Sequence, residues 1–181
     1  MDIAANSVRV ETERLVLRLY RQSDFADLHA MSADPAMWTY SERTTMSSEE
    51  AWARLLRNCG HWALSGYGVF AIEEKATGLY VGEAGCSDYR RRLGTDFDAS
   101  PEASWAIVPA AQGRGYAAEA AQAALSWVDE ALNPEQTVCL IHEANLPSLK
   151  VAEKLGFKLL RRVTYRGYPA ILFRRRSPAG N

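Results

Sequence analysis

From Arg14 to Leu19, Leu15, Leu17 and Leu19 fall on one face and Arg14 and Arg18 on the other, which predicts a strand. Ser23 reads as the N-cap of a short helix carrying Phe25, Leu28 and Met31 and stopping before Asp34-Pro35. Ser47 with Glu50 three positions later is a capping-box pattern. The helix it opens places Trp52, Leu55, Leu56, Cys59 and Trp62 on one stripe and ends at Gly66. Tyr67–Glu74 and Leu79–Tyr89 read as strands joined by a turn at Lys75–Gly78. A polar loop, Arg90–Pro101, leads to a strand from Glu102 to Val108, ended by Pro109.

The Ala-rich spacing of Tyr116–Leu132 predicts a helix that Asn133-Pro134 stops. A β-rich run, Thr137–His142, follows. Asn145 can cap a helix with Pro147 in its first turn and Gly156 at its end. Phe157–Tyr165 and Tyr168–Arg174 then form a hairpin around Arg166-Gly167. The order β-α-α-β-β-β-α-β-α-β-β suits a mixed sheet flanked by helices, in the α/β or α+β class.

Composition narrows the field. With 181 residues, 48% of them hydrophobic and 24% charged, one globular domain over residues 1–176 is expected, with 177–181 as a disordered tail. No apolar run reaches the roughly 18 residues of a membrane span. Met1–Arg14 lacks the basic start and apolar core of a signal peptide, so a cytoplasmic protein is expected. A net charge of −1 argues against nucleic acid as a partner. The basic runs Arg90–Arg92 and Arg174–Arg176 read as solvated faces or strand ends. Cys59, Cys86 and Cys139 have no metal-ligand spacing and read as buried free thiols; no metal site is expected. His29, His61 and His142 are scattered, and His142 reads as structural.

The chemistry concentrates between Glu102 and Ala117. A strand, a Gly-containing turn and a helix follow one another, so several backbone N–H groups converge at the positive end of a helix dipole, a site for phosphate or pyrophosphate. Gly113 and Gly115 let the backbone approach an anion, and Arg114 can add a charged fork. A Walker A loop needs Lys and then Ser or Thr after its last Gly, where this chain has Tyr116-Ala117. A dinucleotide fingerprint would have Ala118 in its third Gly slot. A nucleotide-phosphate binder is thus one reading, and a merely connecting turn another.

The segment Gln112-Gly113-Arg114-Gly115-Tyr116-Ala117 resembles the Q/R-x-x-G-x-G/A pattern of the GNAT N-acetyltransferases. Asn145-Leu146-Pro147-Ser148 and Glu153-Lys154-Leu155-Gly156-Phe157 resemble that family's closing motif. Glu11–Arg18 resembles the T-x-R-L-x-L-R opening of its RimJ/RimL-like branch. The resemblance spans roughly Glu11 to Phe173 and implies the GNAT fold, a mixed and mostly antiparallel sheet splayed between the Glu102–Val108 and Thr137–His142 strands. Acetyl-CoA would be the cofactor, its pantetheine bonded to the backbone of Ile107 and Val108. Residues Gln112, Gly113, Arg114, Gly115, Tyr116 and Ala117 would hold the pyrophosphate, and Asn145 would bond nearer the reactive end. Lys150 is a further candidate for the anionic cofactor.

The implied reaction is acetyl transfer to a primary amine, either a protein N-terminus or a small molecule, by a monomer or homodimer. Glu102, with Glu83 as the second candidate, would be the base, and the Val108 N–H would stabilise the oxyanion. Many GNAT enzymes have a Tyr four residues after Ser148, where this chain has Ala152. Ser148 is therefore the candidate acid, with water as its rival and helix capping as its alternative role. Trp38, Thr39 and Tyr40, with the hairpin tip at Tyr165–Tyr168, would line the acceptor pocket. A non-catalytic acyl-CoA-binding or sensor protein of the same fold is the alternative function.

Overall fold

The computed structural model describes residues 8–41 and 45–178. Eight strands form one sheet: β1 (Arg9–Glu11), β2 (Leu15–Arg18), β3 (Val69–Glu74), β4 (Tyr80–Ser87), β5 (Glu102–Ile107), β6 (Gln136–His142), β7 (Lys158–Tyr165) and β8 (Tyr168–Arg176). Their order is β1-β2-β3-β4-β5-β6-β8-β7. Neighbours are antiparallel except β5 and β6, which run parallel and share a single register pair, Glu102 with Val138. Beyond that pair the two strands part.

Helices cover both faces of the central strands. α1 (Phe25–Ala33) and α2 (Ser48–Ser65) pack Leu28, Met31 and Leu55 against Val69 and Ala71 of β3. The alternate residues Phe70 and Ile72 face Tyr116, Ala120 and Ala124 of α4 (Tyr116–Leu132). α5 (Leu146–Lys154) joins α4 on that face through Ala152 and its C-cap Leu155, beside Ala121 and Leu125. Apolar residues on both faces explain why β3 and β4 are buried almost throughout. Small residues bring α4 close to the sheet, and burial of Leu125 and Val128 contributes about 1.5–3 kcal/mol each.

The capping box of Ser47 and Glu50 opens α2 as the sequence predicts. Its buried stripe differs: Ala51, Leu55, Asn58 and Trp62 face inward, while Trp52 and Leu56 are exposed. The hydrophobic pattern misleads because a polar residue, Asn58, takes a core position. Ser23 does not cap α1; it lies within a 3-10 turn, Gln22–Asp24, that runs into the helix. The loop after β4 contains a one-turn helix, α3 (Thr95–Asp98), that buries Phe97. Ser177 is not part of a loose tail: it is buried, and its N–H donates to Glu135 O at 3.2 Å. Residues 179–181, the rest of the expected tail, lie outside the described residues. Cys86 and Cys139 are buried and Cys59 partly so, all three as free thiols.

Gly85 sets how closely β3 and β4 approach. A Cβ there would lie 2.3 Å from Gly68 O and 2.6 Å from Val69 Cα, both backbone atoms. Gly85→Ala is expected to destabilise the protein by about 1–3 kcal/mol, the usual cost of overpacking. Urea unfolding would measure it; an unchanged midpoint would mean that the strands spread freely at this point.

Candidate active site

The gap between β5 and β6 is the feature around which the site is built. Both strands lead into helices, α4 after β5 and α5 after β6, so two helix N-termini begin at its mouth. The Val108 N–H donates to Val81 O at 3.0 Å, so residue 108 belongs to the set hydrogen-bonded to β4. In an antiparallel pair this set alternates, which leaves the backbone groups of Trp105 and Ile107 pointing into the gap. The expectation of a Val108 oxyanion donor is therefore corrected: its N–H is occupied by β4. The Ile107 N–H faces the gap, while Ile107 O accepts from the Gln112 side chain at 2.9 Å.

Gln112 thereby ties the turn to the end of β5. Gly113 and Gly115 both have positive φ, 75° and 81°, which glycine alone adopts at no steric cost. Among the described residues, no protein acceptor meets the backbone N–H groups from Gly113 to Ala118. This cluster of free donors lies at the positive end of a 17-residue helix. The Tyr116 side chain is not turned toward it: it is buried, with its hydroxyl donating to Glu74 at 2.5 Å. Arg114 is half exposed but paired with the same carboxylate at 2.5 Å, so its charge is already partly offset. Arg14 flanks the turn, donating to Arg114 O at 2.9 Å and to Glu119 at 2.7 Å.

Glu83 and Glu102 lie on the sheet face that carries α1 and α2. β4 pairs Glu83 with Ala106 and Ser87 with Glu102, and facing pairs share a side. Glu102 is buried under Arg91, whose Nε lies 2.9 and 2.7 Å from its two oxygens. Burial raises the Glu102 pKa above the ordinary carboxylate value, and the Arg91 bonds oppose that rise. Arg91 also donates to the Tyr165 hydroxyl at 2.8 Å. Glu83 accepts from the Tyr20 hydroxyl at 2.7 Å and from Arg54. Burial pushes the Tyr20 hydroxyl well above its ordinary pKa, and the neighbouring carboxylate adds to this, so Tyr20 stays a donor.

A cleft of about 420 Å³ opens between α2, the end of β4 and the β7–β8 turn. Glu83, Arg91, Trp38 and Tyr165 all line it. Trp38 is anchored by its Nε1–H to Ser32 O at 2.8 Å. Tyr40 reaches the same wall through an aromatic series: it lies 6.1 Å from His142, which stacks on Tyr168 at 5.3 Å, and Tyr168 meets Tyr165 edge-on at 5.7 Å. His142 Nδ1 accepts from the Ala144 N–H at 3.0 Å. Asn145 caps α5, its Oδ1 accepting from the Ser148 N–H at 3.1 Å, and the Ser148 side chain is partly exposed.

Sequence reasoning missed Arg54, Tyr20 and Arg91. The first two partner Glu83 from 29 and 63 positions away, beyond any local pattern. Arg91 sits in a run read as solvated, yet it lies against Glu102. Among the described residues no group of three or more His, Cys, Asp or Glu could hold a metal ion, and no helix is long and apolar enough to cross a membrane.

The family profile described as an acetyltransferase (GNAT) domain matches residues 14–158. A protein from Bordetella pertussis described as a GNAT-family acetyltransferase is similar in structure, with a TM-score of 0.83 and 36% identity over 93% of this chain and 99% of that one. RimL, a ribosomal L7/L12 α-N-protein acetyltransferase solved with coenzyme A, shares the fold with a TM-score of 0.76 and 16% identity, over 95% of this chain and 99% of its own. The uncharacterized N-acetyltransferase YnaD of Bacillus subtilis is 24% identical over 83% of each chain. With its splayed sheet and its profile match over most of its length, this chain belongs to the GNAT acetyltransferase family and is an acetyltransferase.

Proposed function

We propose that the chain transfers the acetyl group of acetyl-CoA to a primary amine by direct attack within a ternary complex. The observation that carries this reading is the row of unpartnered N–H groups from Gly113 to Ala118 beside the β5–β6 gap. The pyrophosphate would bind that row, with Gln112 setting the turn. The pantetheine arm would bond to the gap-facing backbone of Trp105 and Ile107 as a strand would. Asn145 keeps its amide nitrogen for the cofactor while its oxygen caps α5. The opening motif and the RimL neighbour support a RimJ/RimL-like relationship, whose acceptors would include protein N-terminal amines as well as small amines.

Chemically, the amine nitrogen forms a C–N bond to the thioester carbonyl carbon as the C–S bond breaks. One proton leaves the ammonium and one joins the departing thiolate. Releasing the first at pH 7 costs about 1 kcal/mol for an α-amine and about 4.6 kcal/mol for a lysine-like amine. Of the two candidate bases, Glu83 lines the cleft and Glu102 does not, so we assign Glu83 the base, directly or through water. Glu102 holds Arg91 and, through it, the Tyr165 wall; this makes it a positioning residue. The Trp105 N–H, two residues farther along β5 from the pyrophosphate turn, is the oxyanion donor, which leaves the Ile107 N–H and the Trp105 carbonyl for the pantetheine arm. Ser148 or water returns the proton to sulfur, because position 152 holds a fully buried alanine.

Calorimetric titration is expected to give micromolar binding of acetyl-CoA, with ATP and NAD much weaker. In a thiol-release assay with a primary amine, Glu83→Gln is expected to lower kcat by about 10²-fold or more with acetyl-CoA affinity kept. A protein that folds and binds no acetyl-CoA would refute the proposal. Unchanged kcat in Glu83→Gln would remove only the base assignment.

A further inference from the structure

The charge of the cleft points to a class of acceptor, an inference that rests on the acetyl-transfer reading. Among the described residues, Arg54, Arg57, Arg91 and Arg166 line it, against Glu83 and Asp88. Each of those carboxylates is already matched. Glu83 is paired with Arg54, and Asp88 with Arg90 at 2.8 Å. Arg91 is matched by Glu102 beneath it. Arg57 and Arg166 are exposed and make no ion pair among the described residues; Arg166 lies only over the Tyr165 ring, at 5.4 Å.

A second observation points the same way. Asn58 lines the cleft at 6% exposure, and its Nδ2 has no hydrogen-bond partner among the described residues. A buried amide donor without an acceptor is uncommon and marks a place where an outside oxygen would be welcome. Two unmatched guanidinium groups and an orphaned amide donor repel a second ammonium and attract an oxyanion. The cleft volume, about 420 Å³, lies in the range of small-molecule sites.

We infer that the acceptor is a small primary amine carrying an oxyanion, a carboxylate or a phosphate, which Arg57, Arg166 and Asn58 hold while Glu83 serves the amine end. Polyamines and simple alkylamines fit this charge arrangement poorly.

The test uses matched probes at fixed acetyl-CoA: γ-aminobutyrate against γ-aminobutyramide, phosphoethanolamine against ethanolamine, and spermidine. The anionic member of at least one pair is expected to exceed its neutral partner by about tenfold or more in kcat/KM, the better pair separating carboxylate from phosphate. In Arg57→Glu/Arg166→Glu the ratio is expected to fall to about one or invert, with acetyl-CoA affinity by calorimetry unchanged. Neutral amines or spermidine used as well as or better than the anionic ones would overturn the inference and leave acetyl transfer standing. A binding arm independent of turnover titrates N-acetyl-γ-aminobutyrate, N-acetylphosphoethanolamine and their uncharged counterparts into the protein. Anionic products that all bind no better than the neutral ones overturn the inference. A folded wild-type protein that binds no acetyl-CoA would instead refute the acetyl-transfer reading.

Discussion

Gly115→Glu is expected to abolish measurable coenzyme A binding, weakening it at least about 100-fold, or about 2.8 kcal/mol. Two effects combine. The backbone at Gly115 has φ 81°, so any side chain adds about 1–2 kcal/mol of strain. The new carboxylate would also sit among the N–H groups that the pyrophosphate needs, as an internal anion at the helix N-terminus. That second effect stabilises α4 by a few tenths to about 1 kcal/mol, which works against unfolding. A Cβ at Gly115 meets only Arg14 Nη2, at 3.4 Å, the end of a flexible side chain. The variant should therefore remain folded by circular dichroism while failing in the calorimeter. Gly115→Asn is the control, since asparagine tolerates this backbone conformation and adds no charge; it should keep affinity within about tenfold of wild type. A folded glutamate variant with wild-type affinity would move the pyrophosphate site elsewhere.

Arg18→Met is expected to destabilise the protein by about 3–5 kcal/mol, because it strands a buried carboxylate. Arg18 and Asp24 are 6% and 5% exposed, with two bonds of 2.7 Å between them. Arg18 also reaches Glu73 at 2.7 Å and Leu19 O at 3.0 Å, and Asp24 accepts from the Arg21 N–H at 2.7 Å. Melting should fall by about 6–20 °C for a chain of this size. Burial pushes the Asp24 pKa upward, but the Arg18 bonds and the Arg21 N–H prevail and hold it below its ordinary 3.8. A depressed pKa contributes stability above 3.8, and this is lost as pH falls through the folded value. In Arg18→Met the Arg18 bonds are gone, and desolvation, the largest influence on Asp24, is expected to outweigh the remaining Arg21 N–H bond and raise its pKa, so acid relieves the strain. The stability gap between the two proteins should narrow as pH falls toward 4, a range flagged by ordinary carboxylate pKa values of about 4. Arg18→Met/Asp24→Leu should recover most of the loss. A constant gap from neutral to acid pH would show that Asp24 is not the stranded group.

Much of this fold is legible in the chain because local signals agree with tertiary needs. The capping box at Ser47 and the alanine spacing of α4 mark helices whose buried faces the sheet then uses. The Gln112–Ala117 turn is readable for the same reason: strand, glycines and helix are consecutive. Strand β1 is not, since three residues at a sheet edge carry no periodicity. The partners of the acids are not readable either. Whether Glu102 faces an amine or a guanidinium depends on where the loop after β4 returns, and Arg91 within a basic run gives no hint of it. The direction of the Val108 N–H follows from the register with β4, which side-chain pattern leaves open.

The lone pair of Glu102 with Val138 has a consequence for how the molecule holds together. Strands β1–β5 form one continuous ladder and β6, β8 and β7 another, so the sheet consists of two cooperative blocks stitched at one end. Each block contains its own complete set of antiparallel bonds, and the seam between them relies on the packing of α4 and α5. Opening of either block then requires little disturbance of the other. A ligand spanning the gap would fuse them into a single unit, making the seam the most ligand-sensitive line in the protein.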